Sequence, residues 1–181
     1  MNLSGLLTAI REQSAYASAL AAISVQGETE HNDPPTLDLP HSARAPVLAA
    51  LAADTCRPLL LLTSRSDRAL EIQNELALWQ PELPILLFAE PNTLFYERTV
   101  WEPSATRQRL ACLAAFAYPM LRGEHRCGGE AIIIASARAL MTLTLPPAEL
   151  RQNTQVLRID DSIRLSKLLS ACQAAGYAHQ S

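Results

Sequence analysis

The sequence predicts an α/β fold in which a parallel sheet is flanked by helices. Three short, continuous apolar runs carry this prediction, at 58–63, 84–88 and 131–135. Such runs are typical of strands that are buried on both faces of a parallel sheet. Helical periodicity separates the runs, and strands that alternate with helices imply crossover connections and parallel pairing.

Composition limits the classes of function. The 181 residues are 49% hydrophobic and 18% charged, which excludes wholesale disorder and suits one domain, or one domain and part of another. The net charge is −3, whereas a charge-driven nucleic-acid binder is usually basic. Aromatic residues are 5%, too few for a platform that stacks single strands, and Lys167 is the only lysine.

The first element is an amphipathic helix within 1–25, with Leu3, Leu7 and Ile10 at helical spacing. Its charged residues argue against a signal peptide, and no apolar run in the sequence is long enough to span a bilayer, so we expect a cytoplasmic protein. The polar, proline-containing segment 26–40 reads as a connection. Residues 1–36 are therefore interpreted as an N-terminal helix and linker.

The central part, 37–147, is interpreted as the α/β domain. Serines are expected to cap two of its helices. Ser64 precedes the helix Arg65–Trp79, and Ser104 caps the helix that runs to Tyr118. An irregular stretch is expected over Ala89–Pro103. The helices predicted in this part are Ala45–Asp54, Arg65–Trp79, Ser104–Tyr118 and Ser136–Met141.

The pattern changes after Pro147. Alternation over Thr154–Ile159 predicts a half-exposed strand, and a helix capped by Asp161 or Ser162 follows, with Gly176 at its end. One strand and one helix are a poor domain. Residues 148–181 are therefore interpreted as the start of a second small α+β domain.

Candidate catalytic groups are few. Glu90, Glu97 and Glu102 share one irregular stretch and are conceivable as an acid–base pair, although a solvated loop is favoured. A solvated face is likewise favoured for the positive residues around the third predicted helix, over a surface for nucleic acid or an acidic partner; these are Arg98, Arg107, Arg109, Arg122 and Arg126. Phe95, Tyr96 and Trp101 are expected to pack a long loop onto the sheet edge.

No metal site is expected. The cysteines do not form a Cys-x-x-Cys pair and the histidines do not cluster at ligand spacing, so free thiols are favoured. These residues are Cys56, Cys112, Cys127, Cys172, His31, His41, His125 and His179.

Phosphate-binding loops are also missing. The loop expected before the helix at Ala45 has neither the glycines that admit a phosphate nor the lysine that binds it, although Arg44 could touch a phosphate. The turn after the first strand lacks the glycines of a dinucleotide site. We predict no catalytic residue and no cofactor in this chain.

The order of segments resembles the N-terminal module of the bacterial transcription-repair coupling factors (Mfd) and, more distantly, UvrB. The similar segments run from about Leu37 to the C-terminus, and Phe95 stands where the family has proline. They are 58–64 with 69–70 and 74–76, then 93–97 with 109–110 and 113, then 132–136 with 139–141 and Pro146, and finally 165–177.

The resemblance implies a function. UvrB has a working ATP site where this chain has His41, Ser42, Ala43 and Arg44, and the Mfd module has lost it, so these four residues are interpreted as a degenerate phosphate loop. The family module is a non-catalytic regulatory domain that recruits UvrA in transcription-coupled nucleotide excision repair. Its parent protein is an ATP-dependent DNA translocase, with ATP and Mg in distant motor domains, that displaces stalled RNA polymerase.

The resemblance places the UvrA contacts beyond Ser181, so no binding residue is named. Two alternatives stay open: a nucleotide-binding, UvrB-like helicase lobe, and an unrelated small α/β enzyme that uses Glu90, Glu97 or Glu102.

Overall fold

The computed structural model describes residues 3–25, 36–55, 57–91, 101–118, 131–157, 159–174 and 177. A 3₁₀ turn at Ser4–Leu6 precedes the first helix. The helices and strands are α1 (Leu7–Arg11), α2 (Ser14–Val25), α3 (His41–Thr55), β1 (Leu59–Thr63), α4 (Ser66–Trp79), β2 (Ile85–Phe88), α5 (Pro103–Ala117), β3 (Ile132–Ser136), α6 (Ala137–Met141), α7 (Pro147–Asn153) and α8 (Leu165–Ala174).

The strands form a parallel sheet in the order β1-β3-β2, and the predicted fold class is confirmed. Ile134 of β3 lies level with Leu61 of β1 and Leu87 of β2. The crossovers from β1 to β2 and from β2 to β3 run in opposite directions across the sheet. Because parallel crossovers are right-handed, their helices α4 and α5 cover opposite faces.

Each face of β3 lies in its own core. Ile132 and Ile134 pack with α3 and α4, whereas Ile133 and Ala135 pack with Phe88 and α5. All of β3 is buried, as predicted for an apolar run in the middle of a parallel sheet.

The same prediction was wrong for β1. This strand lies at an edge of the sheet, and its side chains alternate between partly buried and exposed. Leu60 and Leu62 are 51% and 55% exposed, on the face of the sheet where α5 packs against β2. An apolar run shows that a strand can be buried on both faces, but the strand order decides whether it is.

The N-terminal segment is not the single helix predicted. The helix breaks at Glu12 and Gln13, between α1 and α2. Both pieces pack against α3, with Leu7 and Tyr16 in the core. Turning the chain at this break lets two short helices contact one neighbour, which a straight helix of that length could not do.

An ion pair joins the N-terminal segment to α3. Arg11 Nη2 lies 2.7 Å from Asp54 Oδ1, and the Tyr16 hydroxyl donates to Asp54 Oδ2 at 2.7 Å. Burial raises the pKa of Asp54, but the hydrogen bonds from Arg11 and Tyr16 outweigh burial and hold that pKa below its usual value. The helices α1 and α2 are thereby fixed to the end of α3.

Several helix starts differ from prediction. Ser64 and Ser104 cap no helix, since α4 begins after Arg65 and α5 begins at Pro103, a favoured first residue. Ser136 does cap α6 and accepts the Ala139 N–H at 3.0 Å. Of these three serines, only Ser136, where the chain passes directly from strand to helix, caps a helix.

The chain divides into two compact units, Met1–Thr142 and Leu143–Ser181. The second contains α7 and α8. The strand predicted over Thr154–Ile159 is absent, because its described residues form no ladder, and alternation alone cannot make a strand without a partner. None of the helices in the described ranges has the length and apolar character needed to cross a membrane.

Candidate functional site

The carboxyl ends of β2 and β3 border a cleft of about 510 Å³. Its walls are the first turn of α4, the end of β2 with the residues that follow it, and the turn from β3 into α6. Leu70, Leu87 and Phe88 make part of the wall apolar, and Glu90 and Arg138 carry charge. Ligand sites of open α/β folds occupy this position.

Glu90 and Ser136 are joined across the cleft. Ser136 Oγ donates a hydrogen bond to Glu90 Oε1 and accepts one from the Ala139 N–H. Ser136 is only 2% exposed, so a substrate cannot reach it as a nucleophile. Its hydroxyl instead caps α6 and orients the Glu90 carboxylate, which is the more accessible group of the pair.

Charge at the mouth of the cleft is largely paired. Asp67 receives a hydrogen bond from the Arg68 N–H, which lowers the pKa of its carboxyl, and it pairs with Arg65 at 2.7 Å. Asp67 is thus already engaged by Arg65 and by the Arg68 N–H. Among the described wall residues, Glu90 is therefore the better candidate for ligand contact than Asp67.

Arg109 lies next to the cleft, since it donates to the carbonyl oxygen of Ala89, which lines it. It is 2% exposed, and the expectation of a solvated face was wrong for this residue. Its Nη1 donates to the carbonyl oxygens of Ala89 at 3.0 Å and Ala139 at 3.1 Å, and its Nη2 donates to that of Thr142 at 3.2 Å. The guanidinium thus ties the segment after β2 to the middle and the C-terminal end of α6.

The surroundings of Arg109 are apolar. Its guanidinium carbon lies 3.9 Å from the centre of the Phe88 ring and 5.1 Å from that of Trp101. Burial lowers the pKa of Arg109, and its Nε is buried with no hydrogen-bond partner in the described structure. Helical spacing could have indicated that Arg109 is buried, because Ala105, Arg109 and Cys112 form one buried stripe of α5.

The four residues interpreted as a degenerate phosphate loop lie in a helix. His41, Ser42, Ala43 and Arg44 form the first turn of α3, which begins four residues before the predicted start. His41 Nδ1 lies 3.4 Å from Arg68 Nη2, and Arg44 is exposed. This turn is helical, whereas a phosphate cradle is an open loop of backbone N–H groups.

Of the three predicted carboxylates, the structure describes Glu90 and Glu102, and only Glu90 lies at the cleft. Glu90 lines it, Glu102 precedes α5 as its N-cap residue and is exposed, and Glu97 lies outside the described residues. Arg107 is exposed on α5. The other arginine and aromatic candidates also fall outside the described residues; they are Arg98, Arg122, Arg126, Phe95 and Tyr96.

The described residues hold no group of three or more His, Cys, Asp or Glu side chains placed to bind a metal. Cys112 is a buried cysteine outside any disulfide, and Cys172 is a partly buried one. Cys56, Cys127, His31, His125 and His179 lie outside the described residues.

The chain matches no protein-family model. It is similar to the transcription-repair-coupling factor of Bacillus subtilis (strain 168), with 26% identity over 137 residues. The match covers 75% of this chain and 11% of that protein. The similarity is distant, and it agrees with the resemblance drawn from the order of segments.

Proposed function

We propose that this chain is a non-catalytic interaction module of the transcription-repair coupling type, which serves the recruitment of UvrA. The observation that carries the proposal is the first turn of α3. On the resemblance, this turn stands where UvrB has its phosphate loop; here it is helical and has neither glycine nor lysine. The distant similarity to a coupling factor supports the same assignment.

In this proposal the sheet acts as a scaffold. The two cores fix β3 from both faces, and Arg109 fixes the connections at the carboxyl end of the sheet. ATP-driven translocation on DNA and the displacement of RNA polymerase would belong to other parts of a full-length protein. The second unit would provide the attachment for UvrA.

The first experiment measures nucleotide binding. A fluorescent ATP analogue with Mg²⁺ is titrated with the full chain, and anisotropy is read. We expect no saturable binding, and we expect Arg44→Ala to behave as the parent. Saturable binding that Arg44→Ala abolishes would overturn the proposal in favour of a nucleotide-binding lobe.

The second experiment measures UvrA binding by anisotropy of labelled protein. It compares this chain with a form that continues past Ser181 through the whole second domain. We expect the longer form to bind. If both forms are folded by circular dichroism and neither binds, the recruitment role is excluded.

A matched pair of variants tests the second unit. Leu169 on α8 and Leu78 on α4 are both 44% exposed. Leu169→Glu should weaken UvrA binding by the form that binds, because it places a charge on the apolar side of α8, whereas Leu78→Glu should not. Equal effects of the two variants would argue against a role of the second unit in UvrA binding.

A further inference from the structure

The cleft at the ends of β2 and β3 contains a carboxylate that is fixed at two points. Ser136 Oγ, which itself accepts from the Ala139 N–H, donates to one oxygen of Glu90. Arg109 Nη1 donates at 3.0 Å to the carbonyl oxygen of Ala89, the residue before Glu90. Ser136 and Arg109 are each 2% exposed, so buried groups orient the partly exposed Glu90. Binding sites are built in this way, with side chains that contact a ligand held by others behind them.

Two opposite charges of the cleft are left without an ion pair. Asp67 is paired with Arg65, but the ion pairs of the described residues include neither Glu90 nor Arg138. Arg138 is exposed and lines the same cleft, two residues after the serine that holds Glu90. The cleft therefore offers one carboxylate and one guanidinium, which are not paired with each other, to a ligand that carries both signs of charge.

The rest of the wall suits an apolar group. Leu70, Leu87 and Phe88 line it beside the two charges. The volume of about 510 Å³ lies in the range of small-molecule sites, about 300–1,000 Å³. Apolar walls with a few placed polar groups are the usual composition of such sites, in which the polar groups set the orientation of the ligand.

We propose that this cleft binds an apolar α-amino acid. Its ammonium group donates to Glu90, its carboxylate accepts from Arg138, and its side chain contacts Leu70 and Leu87. An ammonium group only donates hydrogen bonds and an ionised carboxylate only accepts them, so the ligand and the cleft are complementary at both ends. A zwitterion is favoured over a simple cation, which Arg138 would repel, and over a simple anion, which Glu90 would repel. This binding is independent of the proposed function, since it involves neither nucleotide nor UvrA.

The test is isothermal titration calorimetry of the full chain with free leucine and free phenylalanine, each up to about 10 mM. We expect saturable binding of at least one of them. The amine and the carboxylic acid of matching shape each lack one of the two charges, and each should bind at least about tenfold more weakly than the amino acid. Absence of binding by both amino acids would overturn the proposal, and so would an amine or an acid that binds as tightly as its amino acid.

Two variants test the assigned contacts. Glu90→Gln and Arg138→Gln each remove one charge, and Glu90→Gln keeps an oxygen that can accept from Ser136. Each variant should raise the dissociation constant of the amino acid at least about tenfold, because a charge-assisted hydrogen bond is lost. A dissociation constant equal to that of the parent in either variant would overturn the contact assigned to that residue.

The matched controls are Glu82→Gln and Arg107→Gln, at exposed residues that do not line the cleft. They make the same changes of net charge elsewhere and should bind the amino acid as the parent does. Circular dichroism checks that each variant is folded. Controls that weaken binding as much as the cleft variants would show that net charge, and not the cleft, governs binding, and would overturn the proposal.

Discussion

Replacing Arg109 by methionine should lower the stability of the first unit by several kcal/mol. The change removes the guanidinium donor from the carbonyl oxygens of Ala89 and Thr142 and leaves that of Ala139 with only the Thr142 N–H at 3.4 Å, and an unpaired buried acceptor costs about 1–3 kcal/mol. Water entering from the cleft and relief from burying a charge offset part of that cost. We expect a net loss of about 3–5 kcal/mol.

The assay is urea unfolding followed by tryptophan fluorescence, since Trp101 lies beside the guanidinium, and by circular dichroism. With a slope of about 2 kcal/mol/M, the midpoint should fall by about 1.5–2.5 M. Arg109→Lys retains the charge, but a single ammonium cannot span all three carbonyls, so its loss should be intermediate.

Arg107→Met on the exposed side of the same helix is the matched control, with an expected change within about 0.5 kcal/mol. If Arg109→Met lies within about 1 kcal/mol of the parent, the hydrogen bonds only compensate for burial of the charge. The view of Arg109 as a tie between β2 and α6 would then be wrong.

Three further predictions concern the core, the cleft and pH. Ile133→Asp buries an unpaired charge in the central strand and should abolish cooperative unfolding seen by circular dichroism, whereas Leu70→Asp on exposed α4 should not. Ser136→Ala should cost about 1–2 kcal/mol in urea unfolding through the lost α6 cap, and should cost less once Glu90→Gln is present if the two side chains interact. The depressed pKa of Asp54 stabilises the fold above its unfolded-state value of 3.8, and this contribution is lost as pH falls through the lower folded-state pKa. Midpoints measured at decreasing pH should therefore fall less steeply in Asp54→Asn than in the parent, and parallel curves would contradict the assignment.

The sequence predicted the class of fold because an apolar run and a helical period are local properties. Burial of Ile133 followed from the run around it, and the same reasoning failed for Leu60, whose exposure depends on strand order. The role of Arg109 was hidden for a different reason. Its partners are backbone carbonyls, which leave no mark on residue types, and only its place on the buried stripe of α5 indicated burial.

The candidate site was likewise predictable from the sequence only in part. Glu90 was named because it shares one irregular stretch with two other carboxylates, and the structure places it in the cleft. Its contact with Ser136 could not be predicted, because it depends on β2 and β3 being neighbours, although β3 begins 44 residues after β2 ends. Glu90 could be named from the local sequence pattern, whereas its contact with Ser136 depends on the tertiary structure.

The strand order has a consequence for folding during synthesis. β3 lies between β1 and β2, and in the described structure neither outer strand has another partner. A nascent chain that has emerged from the ribosome only as far as β2 can form helices but no native strand ladder. The sheet can assemble only when Ile132–Ser136 emerges and pairs with both β1 and β2. The aliphatic run of β1 must therefore stay out of other pairings while the intervening residues are synthesised.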